Sequence, residues 1–243
     1  MSSVVYVVPV HNEETVLAAN VGRLTAYLDR HPGSEVFLVE NGSRDASWAL
    51  AQDLEAKASS RVPVRAFREE AAGIGHAYHR GLTEAVARFG VTEPRWAILT
   101  AADLPFGFSD LEAALSALEQ APSRILMGSK AHRRSRAPTG MTRTTMSSLY
   151  RVARRLVVGM RVGDSQGSVF LRLDLAAELM PKIQARGFFY STELCHYAER
   201  AGESILELPV TLEISGRAST VRPVKDGLLM ARQLWQLRQQ GRR

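Results

Sequence analysis

The stretch Ile98-Leu99-Thr100-Ala101-Ala102-Asp103-Leu104-Pro105-Phe106 (ILTAADLPF) decides the fold. A short apolar run meets a single carboxylate, and a proline and an aromatic follow at once. Buried strands of a parallel sheet end in this way, and in open α/β folds ligands bind beyond the carboxyl ends of the strands. Two earlier runs end alike. Val4–Val10 leads into His11-Asn12-Glu13-Glu14, and Glu35–Val39 leads into Glu40-Asn41-Gly42-Ser43. Asp103 is suited to a metal ion, but such sites usually gather several oxygen ligands. Its neighbours Thr100, Ala101 and Ala102 supply no second carboxylate.

Outward from these edges, apolar runs alternate with helical spacing. Strands are expected at Val4–Val10, Glu35–Val39, Val62–Phe67, Trp96–Thr100 and Arg124–Gly128, with helices between them. Nearly continuous apolar runs are the mark of strands buried on both faces. The rhythm implies parallel strands with right-handed crossovers. The chain therefore reads as α/β, Rossmann-like, with a mostly parallel central sheet and helices on both faces. After Ser129 the rhythm breaks. Residues 130–140 read as a mobile loop, and helices are expected over Thr142–Val158, Thr192–Arg200 and Val224–Gln239. Shorter strands are expected at Ser168–Leu171 and Ser204–Leu212.

Of the 243 residues, 45% are hydrophobic and 23% charged, enough for a sizeable core. The single cysteine, Cys195, excludes a disulfide framework and a Cys-rich zinc site, and it fits a reducing, cytoplasmic compartment. The opening segment lacks a basic region and is interrupted by Pro9, so it reads as a strand and not a signal peptide. No run approaches the ~20 apolar residues that span a bilayer.

The net charge is +6, and its distribution matters more than its sum. Lys130, Arg133, Arg134, Arg136, Arg143, Arg151, Arg154, Arg155 and Arg161 follow one another with no acid between them. This asymmetry points to an anionic partner for the second half of the chain: phosphates, an anionic membrane or nucleic acid. Nucleic acid is disfavoured because aromatics are not interleaved with the basic residues, Tyr150 excepted. The last helix, 222–243, sets Leu228, Leu229, Leu234, Trp235 and Leu237 among arginines. It suits an anionic membrane surface, or packing on the domain or on a second copy in a homodimer.

Gly73, Gly75 and Gly81 do not form a dinucleotide fingerprint, since Tyr78 stands where its third glycine belongs. Gly73 and Gly75 open a helix whose N–H groups could lie near a phosphate. Taken in order, the segments VVPVHNE, LVENGSRDAS, GIGHAYHRGLTEA, ILTAADLPF, MGSK, VGDSQGSVFLRLDLA, GFFYSTELCHYAERAG and ILELPVTLEISGRAS resemble a family 2 glycosyltransferase of the GT-A fold. Within it they are most similar to the polyprenyl-phosphate (dolichyl-phosphate) mannosyl- and glucosyltransferases.

The resemblance implies an inverting transfer of a hexose from a UDP- or GDP-linked sugar to a polyprenyl phosphate or a similar phosphorylated acceptor. It also implies a GT-A domain over 1–221, with a nucleotide-sugar half at 1–129 and an acceptor half at 130–221. Pro9, Glu13, Glu40, Asn41, Gly73, Gly75, Ala102 and Asp103 match the family's donor site. Asp103 would hold Mg²⁺ or Mn²⁺, weakly. Lys130, Arg133, Arg134, Arg143, Gln166, Arg217 and Ser219 match the phosphate side of the acceptor site, and Asp164 and Glu193 join Asp103 as candidate catalytic carboxylates. The chain departs from the family at Ala101, where an aspartate is usual, and at Pro105 and the Glu40-Asn41 pair. These departures keep open metal-independent action and a degenerate nucleotide-sugar binder, and the lack of a membrane-spanning run keeps open a small soluble acceptor, as in natural-product assembly. The enzyme is expected in the cytoplasm, with peripheral contact at the inner face of the membrane.

Overall fold

The computed structural model describes residues 3–118, 123–137, 141–213 and 223–240, leaving out the side chains of 141–146 and 223–228. The strands are β1 (Val4–Val10), β2 (Glu35–Asn41), β3 (Val64–Glu69), β4 (Trp96–Leu99), β5 (Ile125–Ser129), β6 (Val169–Arg172) and β7 (Leu206–Pro209). The helices are α1 (Leu17–Leu28), α2 (Ser47–Lys57), α3 (Ile74–Phe89), α4 (Ser109–Leu118), α5 (Met141–Val158), α6 (Leu173–Leu179), α7 (Tyr190–Arg200) and α8 (Pro223–Gln240). The expected elements are present, with β7 shorter than its alternating stretch and α6 unanticipated.

The seven strands form one sheet in the order β3-β2-β1-β4-β6-β5-β7. β1 pairs in parallel with β2 on one side and β4 on the other. The chain order reverses between these neighbours, so a crevice opens beyond their carboxyl ends. β6 runs antiparallel to both β4 and β5. Fully buried Phe170 fixes this insertion, opposite Ile98 on one side and Leu126 on the other. Burying such a side chain contributes about 1.5–3 kcal/mol, and a one-residue slip would turn it to the opposite face.

Apolar clusters cover both faces of the sheet. One gathers Val5, Val7, Phe37, Leu82 and Tyr190, and the other Tyr6, Val8, Leu24, Leu38 and Phe170. Gly81 lets α3 lie directly on Val7, where a Cβ would overlap the valine side chain. Glu35 is buried at the opposite edge of the sheet, bonded by Arg65 Nε at 3.1 Å and Arg88 Nη2 at 2.8 Å. The last helix, α8, packs Leu234 and Leu237 against Ala185 and Phe189, with Tyr150, Ala153 and Val157 of α5 alongside. No helix among the described residues is long and apolar enough to cross a membrane.

The stretch expected to be a mobile loop is held firmly through Ala137. Ser135 Oγ donates to Ser129 O at 2.6 Å, and Arg136 N to Val210 O at 2.8 Å. Leu212 N then donates to Arg136 O at 2.8 Å, and Glu213 N to Pro105 O at 2.8 Å. Main-chain bonds thus run from the loop after β5 to the turn after β4.

Candidate donor and acceptor site

The loops after β1 and β2 are stitched together. Asn12 has φ 56°, a left-handed conformation that asparagine tolerates better than most residues. It is fixed by Asn12 N donating to Ser43 Oγ (3.1 Å) and Arg44 N donating to Asn12 Oδ1 (2.9 Å). Glu13 N donates to Ser47 Oγ at 2.8 Å. His11 Nδ1 lies 2.8 Å from Asn41 O. A carbonyl only accepts, so the proton is on Nδ1. Pro9 faces Val39 in the β1–β2 ladder, past the last β1–β4 pair of Val7 with Leu99.

Glu40 and Asn41, both 2% exposed, end β2. Glu40 accepts from Ser43 N and pairs with Arg68 Nε at 3.5 Å, while the Arg68 guanidinium lies 5.6 Å from the centre of the Trp48 ring. Asn41 Oδ1 is buried with no hydrogen-bond partner. Such an acceptor costs about 1–3 kcal/mol unless a donor meets it.

Gly73 and Gly75 have a different structural reason from the one expected. Gly73 has φ 143°, and a Cβ there would stand 2.6 Å from Arg186 O. A Cβ on Gly75 would stand 2.6 Å from the Arg186 carbonyl carbon. His76 N donates to Arg186 O at 3.0 Å. The glycine pair admits the backbone before α7 against the start of α3, and that backbone takes up an N–H expected to face phosphate.

Asp103 stands half-buried in the turn after β4. Asn20 Nδ2 donates to Ala102 O at 2.9 Å, Leu104 N to Ala101 O at 3.1 Å and Tyr78 OH to Thr100 O at 3.2 Å. Leu104 has φ 45° and is 2% exposed. A leucine in this region costs about 1–2 kcal/mol, and its burial in the core offsets that cost. Burial, and then the nearby Asp103 charge, push the Tyr78 hydroxyl well up. Ala102, expected at the nucleotide, instead packs its methyl group in the core. Among the described residues no group of three or more His, Cys, Asp or Glu side chains is placed to hold a metal ion.

On the acceptor side the two further candidate carboxylates are committed. Asp164 Oδ2 accepts from Lys130 N (3.0 Å) and meets Lys130 Nζ (3.0 Å), while Oδ1 accepts from Gln166 N (2.9 Å). Burial raises the Asp164 pKa, but the Lys130 charge and these donors outweigh it and hold the carboxyl below its ordinary value. A carboxylate so held is a poor proton acceptor. Lys130 Nζ also donates to Gln166 O at 3.0 Å. Gln166 Nε2 donates to Phe188 O and Thr192 Oγ1, both at 3.1 Å.

Glu193 is 5% exposed, and its Oε2 accepts from Gln184 N (2.8 Å) and Ala185 N (2.7 Å). Burial pushes its carboxyl up despite those donors. A buried acid with a raised pKa favours folding below its unfolded-state pKa, and this advantage is lost as pH rises through the folded value. Glu193→Gln keeps one accepting oxygen and removes the charge. The variant should melt at or above the wild-type temperature at pH 7, and the gap should close by pH 4. Thermal melts at the two pH values check this; a deficit for the variant at pH 7 contradicts it.

Arg133 and Arg134 are exposed on the held loop. Arg143 lies in α5 with its side chain outside the described residues, as are Arg217 and Ser219 altogether. Sequence reasoning missed Arg186, half-buried beside the glycine pair, whose Nη1 donates to Ile183 O (2.8 Å) and Ala185 O (3.1 Å). No motif flagged it. Arg154, taken there only as one of the basic run, is 2% exposed. Helical spacing with Tyr150, Ala153 and Val157 marks Arg154 as inward-facing and could have found it.

Residues 6–178 match the family model described as "Glycosyl transferase family 2". Among solved structures the chain is similar to glucosyl-3-phosphoglycerate synthase from Mycobacterium tuberculosis. The complex with UDP aligns at a TM-score of 0.65 and 17% identity, covering 96% of this chain and 77% of that one. The complex with Mn²⁺, UDP-glucose and phosphoglyceric acid aligns at 0.66 and 16%, again covering 96% and 77%. A further complex holds Mg²⁺ and UDP, at 0.65 and 16%, covering 96% and 76%. At these identities the likeness concerns the fold. A comparison with curated proteins found no match.

Proposed function

The chain belongs to glycosyl transferase family 2, and from that premise we propose that it transfers a hexose from a nucleoside-diphosphate sugar to the phosphate of a lipid-linked acceptor. One observation carries the phosphate reading: both acceptor-side carboxylates, Asp164 and Glu193, are occupied by hydrogen-bond donors. A sugar hydroxyl needs a base to remove its proton. A phosphate monoester does not, because its second pKa is about 6. Its oxygen attacks the anomeric carbon, and the bond to the diphosphate breaks with both electrons leaving on the nucleotide. No proton moves. A single displacement of this kind inverts the anomeric centre; retention through two displacements would need a free carboxylate nucleophile.

Charge then has to be managed at two anions. In this reading the donor half, 1–129, holds the nucleotide at the edge formed by Glu40 and Asn41 and the diphosphate near Asp103. The Mycobacterium tuberculosis enzyme binds UDP together with Mg²⁺, and UDP-glucose together with Mn²⁺. In this chain a divalent ion would take Asp103 plus diphosphate oxygens and waters, a ligand set Mg²⁺ often accepts. When bound, it neutralises charge developing on the leaving group. The acceptor half, 130–221, offers Arg133 and Arg134, exposed on a loop without acids.

A lipid tail on the acceptor is supported by α5. Leu149, Val152 and Leu156 are 70%, 53% and 77% exposed, with exposed Arg151 and Arg155 among them. Spacing of three and four residues puts the apolar side chains on one helix face. Such a face suits an anionic membrane surface. A soluble phosphorylated acceptor is the second reading, favoured by the phosphoglyceric acid bound to the Mycobacterium tuberculosis enzyme.

The test is a panel of UDP- and GDP-hexoses with Mn²⁺, offered polyprenyl phosphate in vesicles or 3-phosphoglycerate in solution. Transfer to the vesicles is expected, with an inverted anomeric configuration by NMR. Transfer to 3-phosphoglycerate alone favours the soluble reading, and hydrolysis without transfer defeats both. Arg133→Ala with Arg134→Ala should raise the acceptor KM roughly ten-fold or more, with donor Kd unchanged by calorimetry. Equal losses of both would remove these arginines from the acceptor site.

A further inference from the structure

Arg154 is a buried cation with unfinished bonding. Its Nη2 donates to Gly163 O at 3.1 Å, while Nε and Nη1 are buried without partners. Arg151 Nε donates to the same carbonyl at 2.8 Å. From the other side, Glu207 of β7 accepts Gly163 N at 2.9 Å and Asp164 N at 3.2 Å. A Cβ on Gly163 would stand 3.0 Å from Glu207 Oε1, so glycine permits this approach. Glu199 of α7 accepts Arg161 N and Val162 N at 3.0 and 2.9 Å. Every peptide N–H from Arg161 to Asp164 therefore ends on a carboxylate, and the Gly163 carbonyl ends on two guanidinium groups. The next links are Asp164 to Lys130, through both its main-chain N–H and its ammonium.

We infer that Arg154, acting through Gly163 and Asp164, is a positioning residue that sets where Lys130 stands for the phosphorylated acceptor. The inference rests on the phosphorylated-acceptor reading for its substrate and on the hydrogen-bond chain for its route. Burying an incompletely bonded charge is costly, and a hydrophobic residue of similar volume is often as stable or more so. Fold stability alone therefore does not call for arginine at this position. Fixing the Gly163 carbonyl does, since small displacements of a binding group are expensive in rate and affinity.

Arg154→Met tests the inference, with Arg154→Lys as the conservative partner. The methionine variant should melt no lower than wild type. Its Kd for UDP-glucose with Mn²⁺ should be unchanged, while its KM for polyprenyl phosphate rises roughly ten-fold, as expected for loss of a charged hydrogen bond. The lysine variant, able to reach the carbonyl, should recover part of that loss. Hydrogen exchange reads the same chain without any acceptor: the Gly163, Asp164 and Lys130 amides should exchange faster in the methionine variant. Unchanged exchange at these amides overturns the inference, whatever the substrate proves to be. Faster exchange with no acceptor turnover in wild type leaves the relay standing and removes the acceptor reading. Parallel losses of melting temperature, donor affinity and acceptor KM mean that Arg154 only supports the fold, and also overturn it. If the methionine variant does not fold, Glu207→Gln loosens the same loop from β7. Faster exchange at the three amides with a raised acceptor KM then supports the relay, and unchanged exchange overturns it.

Discussion

Asp103→Asn is expected to lower sugar transfer about a thousand-fold, the scale seen when one electrostatic stabiliser of developing charge is removed. The substitution preserves size, and it leaves in place the bonds from Leu104 N, Asn20 and Tyr78 to the Ala101, Ala102 and Thr100 carbonyls of the turn. The affinity for UDP-glucose with Mn²⁺ should fall, because an amide is a weaker ligand for a hard cation than a carboxylate. Release of UDP, followed with and without acceptor, measures the effect. A variant that turns over at the wild-type rate would transfer the neutralising role to arginines, and Asp103 would be left as a turn residue.

Gly75→Ala should cost the protein both stability and donor binding. The new methyl group would stand 2.6–2.8 Å from the Arg186 backbone, where ordinary contact is 3.4–4 Å. Backbone cannot rotate out of the way as a side chain can, so α3 and the segment before α7 must separate. Overpacking of this kind costs about 1–3 kcal/mol. For a chain of this size each kcal/mol lowers the melting temperature by about 2–4 °C. The same separation breaks the bond from His76 N to Arg186 O and shifts the start of α3, which lies beside the β2 and β4 edges. A melt and a UDP-glucose titration check both effects. Wild-type values for the two would show that the segment before α7 moves aside at no cost.

The parallel core could be read in the sequence because its strands are unbroken apolar runs stopped by polar residues. Val4–Val10, Glu35–Asn41 and Trp96–Leu99 all carry this mark and are buried throughout. The antiparallel entry of β6 between β4 and β5 could not be read, since strand order is set by partners far along the chain. α6 was hidden because it continues from β6 without a capping bond, Arg172 being both the last strand residue and the helix N-cap. The glycine pair showed a need for closeness without naming the neighbour, and that neighbour, Arg186, comes late in the chain. The polar edge beyond β1, β2 and β4 was legible for the same reason as the strands, whereas the occupancy of Asp164 was not. Nothing local to Asp164-Ser165-Gln166-Gly167 announces that Lys130 lies at 3.0 Å.

The main-chain hydrogen bonds that tie Arg136 to Leu212 and Glu213 to Pro105 carry a consequence for how such a protein diversifies. They depend on no particular side chain, so they survive substitution on either bank of the crevice. Under the proposed function, drift among the arginines of one bank would change what is glycosylated, and drift around Asn41 would change what is spent, without widening the gap a sugar must cross.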